Sequence, residues 1–452
     1  MTVSAGRVFS LVVGAMVGAA VMAAPVSAQG LYYREVVKDG KVYVFNLARE
    51  FEAFQSGIAP AKPIERLGWG PKGETVVFDS PDALNLFAFK YGKAAEAPPA
   101  APSPAPAAAK DDTPTVKVGG TIYANYTYTA DPTAKDSDGN TIHPNAFDDS
   151  RAYITLSGNI SHLVGFRITA DVGPRQATVS TGLPAGAAVS SNYDGSLTYR
   201  LKYAYGQVNL DDVLTKGSWA RIGMQQTPFL DFMEGVYRYR FQGTLFAERE
   251  GYLPSGSSDF GLSAHYNLPN DYGDVHTGIY NGENYNKGEA NDQKAFQVRG
   301  TLRPVPKQEV LKGLRLSAFY DADHYVKDAP RQRFIGSVTF EHKYVNLGID
   351  YLDAKDQTST TKPEVRASGF SAWAQPKTTK GIEGFLRYDS LKPSKHVDAR
   401  KNRTIVGVAY WFKTLKAPAA AALLLDYEHV GYDAPLAKPN ESRYALHCLF
   451  NF

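Results

Sequence analysis

The sequence predicts an all-β fold, a transmembrane antiparallel β-barrel of about 16 strands, preceded by a small α+β domain and a Pro/Ala-rich linker. Three observations predict it. The last ten residues place Tyr444, Leu446, Cys448, Phe450 and Phe452 on one strand face and Arg443, His447 and Asn451 on the other, which suits lipid on one side and a wet lumen on the other. Segments of the same alternating kind recur from Thr115 onward. Past the first 28 residues, no uncharged apolar run reaches the roughly 18 residues that a spanning helix needs. The mean hydropathy of −0.31 agrees, because barrel strands alternate and never form long apolar blocks.

Each element follows in order. Arg7 is the only charge in the first 33 residues, an apolar run extends from Val8 to about Ala24, and Val26-Ser27-Ala28 supplies a small-residue cleavage pattern. Residues 1–28 are expected to be a secretory signal peptide. An exported chain without membrane helices is periplasmic, secreted or an outer-membrane barrel. The alternation favours the barrel, in the outer membrane of a Gram-negative-type bacterium.

Residues 29–93 read as a small α+β periplasmic domain, of a size that folds alone only marginally. Leu31–Val37 and Lys41–Phe45 flank the hairpin signal Lys38-Asp39-Gly40. Asn46 is placed to cap a helix running to about Gln55, and Glu74–Phe78 reads as a further strand. Asp79 or Ser80 with Pro81 opens a second helix, Asp82–Tyr91, since Pro is tolerated in a first turn. Residues 94–114 form the linker, whose Ala-Pro-Pro-Ala-Ala-Pro-Ser-Pro-Ala-Pro run favours extended polyproline conformation.

Residues 115–452 contain the alternating segments: Thr115–Thr129, Asp148–Ile160, Leu163–Val172, Leu197–Asn209, Trp219–Gln226, Phe260–Leu268, Asp274–Tyr280, Lys294–Arg303, Leu314–His324, Arg333–His342, Tyr344–Leu352, Val365–Gln375, Gly381–Tyr388, Thr404–Phe412, Ala421–His429 and Arg443–Phe452. With the chain entering from the periplasm, odd-numbered connections lie outside the cell and should be the longer ones. Asp131–Phe147, Gly173–Ser196, Thr227–Asp259, Asn281–Gln293, Asp353–Glu364, Leu391–Arg403 and Val430–Ser442 are long and polar; Ser161-His162, Pro269–Gly273, Lys343 and Pro376–Lys380 are short. Faces are legible in several strands: Val164, Phe166, Ile168 and Ala170 oppose Arg167, Thr169 and Asp171, and Phe296, Val298 and Leu302 oppose Gln297, Arg299 and Thr301. Charges on the inner face imply a wet lumen, because unpaired charges in a dry core are costly. Thr404–Phe412 is apolar on both faces and has no firm phase, which suits contact with a neighbouring subunit.

The connection Thr227–Asp259 is the least like an exposed loop. Phe229, Leu230, Phe232, Met233, Val236, Tyr237, Tyr239 and Phe241 would not stay in bulk water. Here a resemblance becomes specific. Arg221-Ile-Gly-Met-Gln-Gln-Thr-Pro-Phe229, the Tyr-Arg-Tyr-Arg run, Ser258-Asp-Phe-Gly261 and Gly278-Ile-Tyr-Asn-Gly282 resemble the phosphate-selective porin O and P family over roughly residues 116–452. The resemblance implies a sixteen-stranded, trimeric outer-membrane channel for small anions, with the long loop folded inward as a constriction. Separately, Phe452 with Tyr444, Leu446 and Phe450 at every second position before it resembles the signal that outer-membrane assembly machinery reads on barrel proteins. No cofactor or metal is expected, and the chain is not read as an enzyme.

Anion selectivity needs a confined, net positive constriction. The loop candidates are Arg238, Arg240 and Arg249, with Tyr237, Tyr239, Asp231 and Glu234 beside them. Arg200, Lys202, Arg221, Arg167 and Arg299 are candidates for the pore wall. Yet the loop also carries Glu248 and Glu250, and no lysine occurs between Ser218 and Ser258, so a porin is better supported than phosphate specificity. The alternative is that these arginines pair with carboxylates and hold the loop to the wall.

The remaining signals bound other classes. A net charge of +3 is too balanced for nucleic acid. One cysteine excludes a disulfide framework, and Asp131, Asp136 and Asp138 miss the EF-hand spacing. Ser442 and His447 lie on opposite strand faces about 16 Å apart, so they make no hydrolase pair. The competing function is a barrel anchor whose periplasmic domain tethers the outer membrane to peptidoglycan or a protein partner.

Overall fold

The structure, a computed structural model, describes residues 32–60, 62–93, 112–172, 197–289, 291–415 and 417–452. The expected signal peptide, nearly all of the linker and the Gly173–Ser196 connection lie outside the described residues. The chain divides into two compact units, split between residues 109 and 110.

In the first unit, β1 (Arg34–Lys38) and β2 (Lys41–Phe45) form a hairpin. Its turn places Asp39 and Gly40 at φ 51° and 74°, a left-handed pair that suits the Asp-Gly dipeptide. After α1 (Ala48–Gln55) come β3 (Ile64–Arg66), β4 (Thr75–Phe78) and α2 (Pro81–Tyr91). The sheet order is β1-β2-β4-β3, with β2 and β4 parallel. Two aromatic layers form around it: Phe78 of β4 meets Phe87 of α2, while Tyr43 and Phe45 meet Phe54 of α1. Ser80 caps α2 by accepting from the Ala83 amide at 3.0 Å. One expectation needs correction, and one strand is additional. Asn46 caps nothing, because α1 starts at Ala48 with Leu47 before it and no side-chain cap; the Asn46 amide oxygen instead accepts from the Ser80 hydroxyl at 2.9 Å. Strand β3 was not expected, being too short to show alternation.

The second unit is a closed sixteen-stranded antiparallel barrel. Its strands are β5 (Thr115–Asp131), β8 (Asn145–Asn159), β9 (Val164–Val172), β10 (Tyr199–Asn209), β11 (Trp219–Gln226), β12 (Ser258–Asn267), β13 (Gly273–Tyr280), β14 (Ala295–Leu302), β15 (Leu314–Val326), β16 (Ala329–Glu341), β17 (Val345–Asp356), β18 (Val365–Pro376), β19 (Ile382–Lys392), β20 (Lys401–Trp411), β21 (Ala420–Tyr432) and β22 (Glu441–Asn451). A small hairpin, β6 (Ala134–Lys135) with β7 (Thr141–Ile142), sits in the first connection. β22 pairs with β5 to close the ring. The expected alternation is met: Val408 and Leu425 are 61% and 62% exposed on the outside, while their strand neighbours Ala409 and Leu424 are buried.

With an even number of antiparallel strands, both barrel termini lie at one end, here the chain-end rim. The connections at the far rim are not uniformly the longer ones. The β15–β16 turn there is only Lys327-Asp328, with Asp328 left-handed at φ 65°, whereas 303–313 at the chain-end rim is long. The ambiguous strand Thr404–Phe412 acquires a phase in β20. Val406, Val408 and Tyr410 face outward, while Ile405, Ala409 and Trp411 face the lumen against the inward loop described next.

Candidate functional site

The connection between β11 and β12 lies inside the barrel. It opens with α3 (Pro228–Val236), which has Pro at its first turn. Phe229, Leu230, Met233 and Val236 make one apolar stripe, and all are buried. A chain turn carries Tyr237–Phe241 into α4 (Phe246–Arg249). These residues share one cluster with lumen-facing Phe319, Trp373, Phe385, Ile405, Leu424 and Leu449. Phe229 meets Phe319 at 5.5 Å between ring centroids, Tyr237 meets Trp373 at 5.4 Å, and Tyr239 stacks on Phe385 at 4.7 Å. The apolar lumen face of β15–β22 therefore serves as the bed for this loop.

Polar anchors surround that bed. Glu383, fully buried, accepts from Arg238 at 3.3 Å and from the Tyr239 hydroxyl at 3.0 Å. The Tyr239 hydroxyl in turn accepts from the Trp411 indole at 3.1 Å, and Arg238 lies over that indole at 4.2 Å. Arg249 pairs with Glu428 at 2.9 Å. Arg240 pairs with Glu234 at 2.9 Å and also with Glu248. The wall reaches back: Arg387, held by Asp389 at 2.8 Å, donates to the Tyr237 hydroxyl at 3.1 Å and to the Thr244 carbonyl at 2.8 Å. Arg299, paired with Asp274, donates to the Pro228 carbonyl at 2.9 Å. All three loop arginines, candidates for a cationic constriction or for pairing that holds the loop, are paired with carboxylates, and so is Arg299.

The remaining expected wall residues behave differently. Arg167 lies over Tyr203 at 4.5 Å, and Arg200 lies over Tyr285 at 4.7 Å and donates to its hydroxyl at 2.9 Å. Lys202 donates to the Tyr153 hydroxyl at 2.7 Å. Arg221 is sandwiched between Trp219 at 3.6 Å and Tyr205 at 4.7 Å. Among the described residues, none of these four has a carboxylate within ion-pair distance. An aromatic face holds a cation through its quadrupole without cancelling the charge. These residues come together because β10 carries a bulge: the register slips between Leu201 and Tyr203. The extra residue turns both Lys202 and Tyr203 inward, so Arg200, Lys202, Tyr203 and Tyr205 share one lumen wall.

Sequence reasoning missed a buried cluster. Cross-strand pairing sets His265 beside His276, with His265 bonded to Asp274 at 3.1 Å and Asp231 of α3 3.7 Å from His276. No sequence spacing could announce it, since the two histidines meet only through β12–β13 register. Asp231, His265, Asp274 and Arg299 line a lumen cavity of about 630 Å³. His447, expected on the lumen side, pairs there with Asp426 at 2.9 Å, and the Ser442 hydroxyl meets His429 at 3.0 Å instead.

Tyr444, Leu446, Phe450 and Phe452 all lie on the outer face. Phe452 exchanges two backbone hydrogen bonds with Gly120, at 2.9 and 3.0 Å. Its ring crosses the position that a Gly120 Cβ would fill, with ring atoms 2.4 Å away. The seam thus closes on a residue with no side chain.

Among solved structures, the chain is similar to a loop-deletion mutant of OmpT, an outer membrane protein of Vibrio cholerae, at 13% identity and TM-score 0.51, covering 75% of this chain and 100% of that one. It is similar to an anion-selective porin from Comamonas acidovorans at 11% identity and TM-score 0.50, covering 75% and 100%. It is also similar to Salmonella typhi OmpF, solved with daunomycin, at 12% identity and TM-score 0.50, covering 75% and 98%. At these identities the likeness is one of fold, the porin barrel. No family model matches the chain, and no curated protein matches it.

Proposed function

We propose that the barrel is an outer-membrane channel for passive diffusion of small hydrophilic solutes, with a preference for anions. The observation that carries the reading is the division of lumen cations into two kinds. Arg238, Arg240, Arg249 and Arg299 are neutralised by carboxylates, whereas Arg167, Arg200, Lys202 and Arg221 are held by aromatic rings and hydroxyls. Uncompensated charge inside low-dielectric walls attracts anions and replaces part of their hydration. The anion path therefore runs along β9–β11, and the loop arginines serve to hold the loop. Phosphate specificity rests only on the family resemblance and finds no support in the lysine-free loop.

The proposal extends to a homotrimer, as the resemblance implies, with the first unit in the periplasm. That unit has its own core of Val42, Val44, Val76, Phe78 and Phe87, and a tethering role for it towards peptidoglycan or a periplasmic protein is the alternative to conduction.

The test is single-channel conductance in a planar bilayer, with the reversal potential read under a KCl gradient. The expected result is a chloride-sign potential that falls towards zero in R167Q/R200Q/R221Q and persists in R238Q/R240Q. Folded but non-conducting protein would overturn the channel and leave the tether.

A further inference from the structure

The two rims of the barrel differ in the carboxylates that accompany their lysines. Each of the far-rim connections 132–144, 281–294, 327–328, 357–364, 393–400 and 433–440 carries at least one Asp or Glu, although Lys287, Lys327, Lys362 and Lys438 there have no ion-pair partner among the described residues. At the far rim, Lys355 pairs with Glu364 at 2.7 Å and Lys392 with Asp398 at 2.9 Å, and Lys395 pairs with Asp353. At the chain-end rim, the connections 303–313, 342–344, 377–381 and 412–419 bring up Lys307, Lys312, Lys343, Lys380 and Lys413, all exposed. Among the described residues, none of the five has a carboxylate within ion-pair distance. The one acidic residue in those connections is Glu309. The next stretch of the same rim, 210–218 and 268–272, carries Asp211, Asp212 and Asp271 against Lys216, so the basic character is confined to the arc spanned by β14–β21.

Large apolar side chains accompany the lysines. Tyr344 is 54% exposed and Val310 53%, with Leu311, Phe412 and Leu415 also exposed on the same connections. The Lys343 ammonium lies 4.9 Å from the centre of the Tyr344 ring. Aromatic and aliphatic groups at a barrel rim sit at the headgroup level, and lysines there extend along apolar surface while keeping the ammonium at the polar boundary. Cations left without protein partners in that position are matched to lipid phosphates.

We propose that this arc is a binding surface for anionic phospholipid headgroups of the leaflet that meets the chain-end rim. The lysines supply the charge attraction, and the apolar residues between them hold the adjoining acyl chains. The contact fixes the depth of the barrel on the side where both of its termini emerge.

The test uses the full-length protein in bilayers of phosphatidylcholine containing spin-labelled phosphatidylglycerol or spin-labelled phosphatidylcholine. The quantity read is the fraction of each label immobilised at the protein. The expected result is a roughly two- to tenfold preference for phosphatidylglycerol that declines as KCl rises. The preference should fall towards one in K343Q/K380Q/K413Q and persist in the far-rim control K355Q/K392Q/K395Q. If the triple variant fails to fold, the salt titration of the wild-type protein and the three single variants carry the test. No preference in the wild-type protein, or an equal loss in the far-rim control, would overturn the proposal. Binding of soluble polyglutamate without any lipid preference would also overturn it, assigning the arc to a soluble anionic partner instead.

Discussion

Glu35 shows how a single side chain ties the first unit together. It is four-fifths covered and accepts from Lys90 at 2.9 Å, from the Tyr91 hydroxyl at 2.9 Å and from the Tyr33 hydroxyl, joining β1 to the end of α2. Burial alone would raise its carboxyl, but these three donors outweigh burial and hold it below the ordinary glutamate value. A depressed folded value means that the stabilisation is complete above the unfolded value of about 4.3 and is lost as pH falls through the folded one. Asp79 runs the other way, because burial raises its carboxyl, so the comparison must be between variants at each pH. Hydrogen exchange of the β2 and α2 amides in full-length protein should be faster in E35Q than in wild type at neutral pH. The gap should close as pH falls below the usual glutamate range; a gap that widens towards acid pH would remove this account of the cluster.

At the scale of elements, the inward loop is held by a few buried carboxylates, and they are not equivalent. Glu383 is fully buried and joins the loop to β19, whereas Glu248 pairs with Arg240 inside the loop, where Glu234 remains as a second partner. E383Q should therefore loosen the segment by about 1–2 kcal/mol, discounted because Arg238 is partly exposed, and E248Q by less. Hydrogen exchange across residues 237–249 reads this directly, and equal effects would count against wall anchoring. The same elements show what a sequence reveals. All sixteen strands were legible because one face meets lipid and period-two alternation is strong wherever both faces are specified. The phase of β20 was hidden, since Ile405, Ala409 and Trp411 face a loop remote in sequence, and an apolar residue looks the same whether it meets lipid or that loop. The bulge at Lys202 and the pairing of each arginine were hidden too, because register slips and long-range partners leave no periodic trace. That is why the ring-held cations are told apart from the carboxylate-paired arginines only in three dimensions.

Over the whole molecule, the lumen is two-sided. The arc β15–β22 offers Phe319, Trp373, Phe385, Ile405 and Leu424 to the loop and is covered by it, while β8–β11 carry the ring-held cations over tyrosines and tryptophan. Water and ions have little reason to enter the covered arc, since its apolar residues are buried against aromatic rings and its arginines are paired with carboxylates. In the channel proposed above the path then follows the other wall, and its chemistry should discriminate by sign. Ser157 of β8 pairs across the sheet with Arg167 and offers a place to read that field, while Ala409, 1% exposed beneath the loop, reads the covered arc. In S157C, a negatively charged methanethiosulfonate reagent should react faster than a positively charged one, and its adduct should lower conductance. R221Q in the same background should shrink that rate ratio, because it removes a cation from the path without disturbing a carboxylate. A409C should resist both reagents while the loop is seated and become reactive once E383Q loosens it. Equal rates for the two reagents at S157C would show that the ring-held cations create no field along the path. Ready labelling of A409C in the wild-type background would show that the loop does not cover the arc on which it lies.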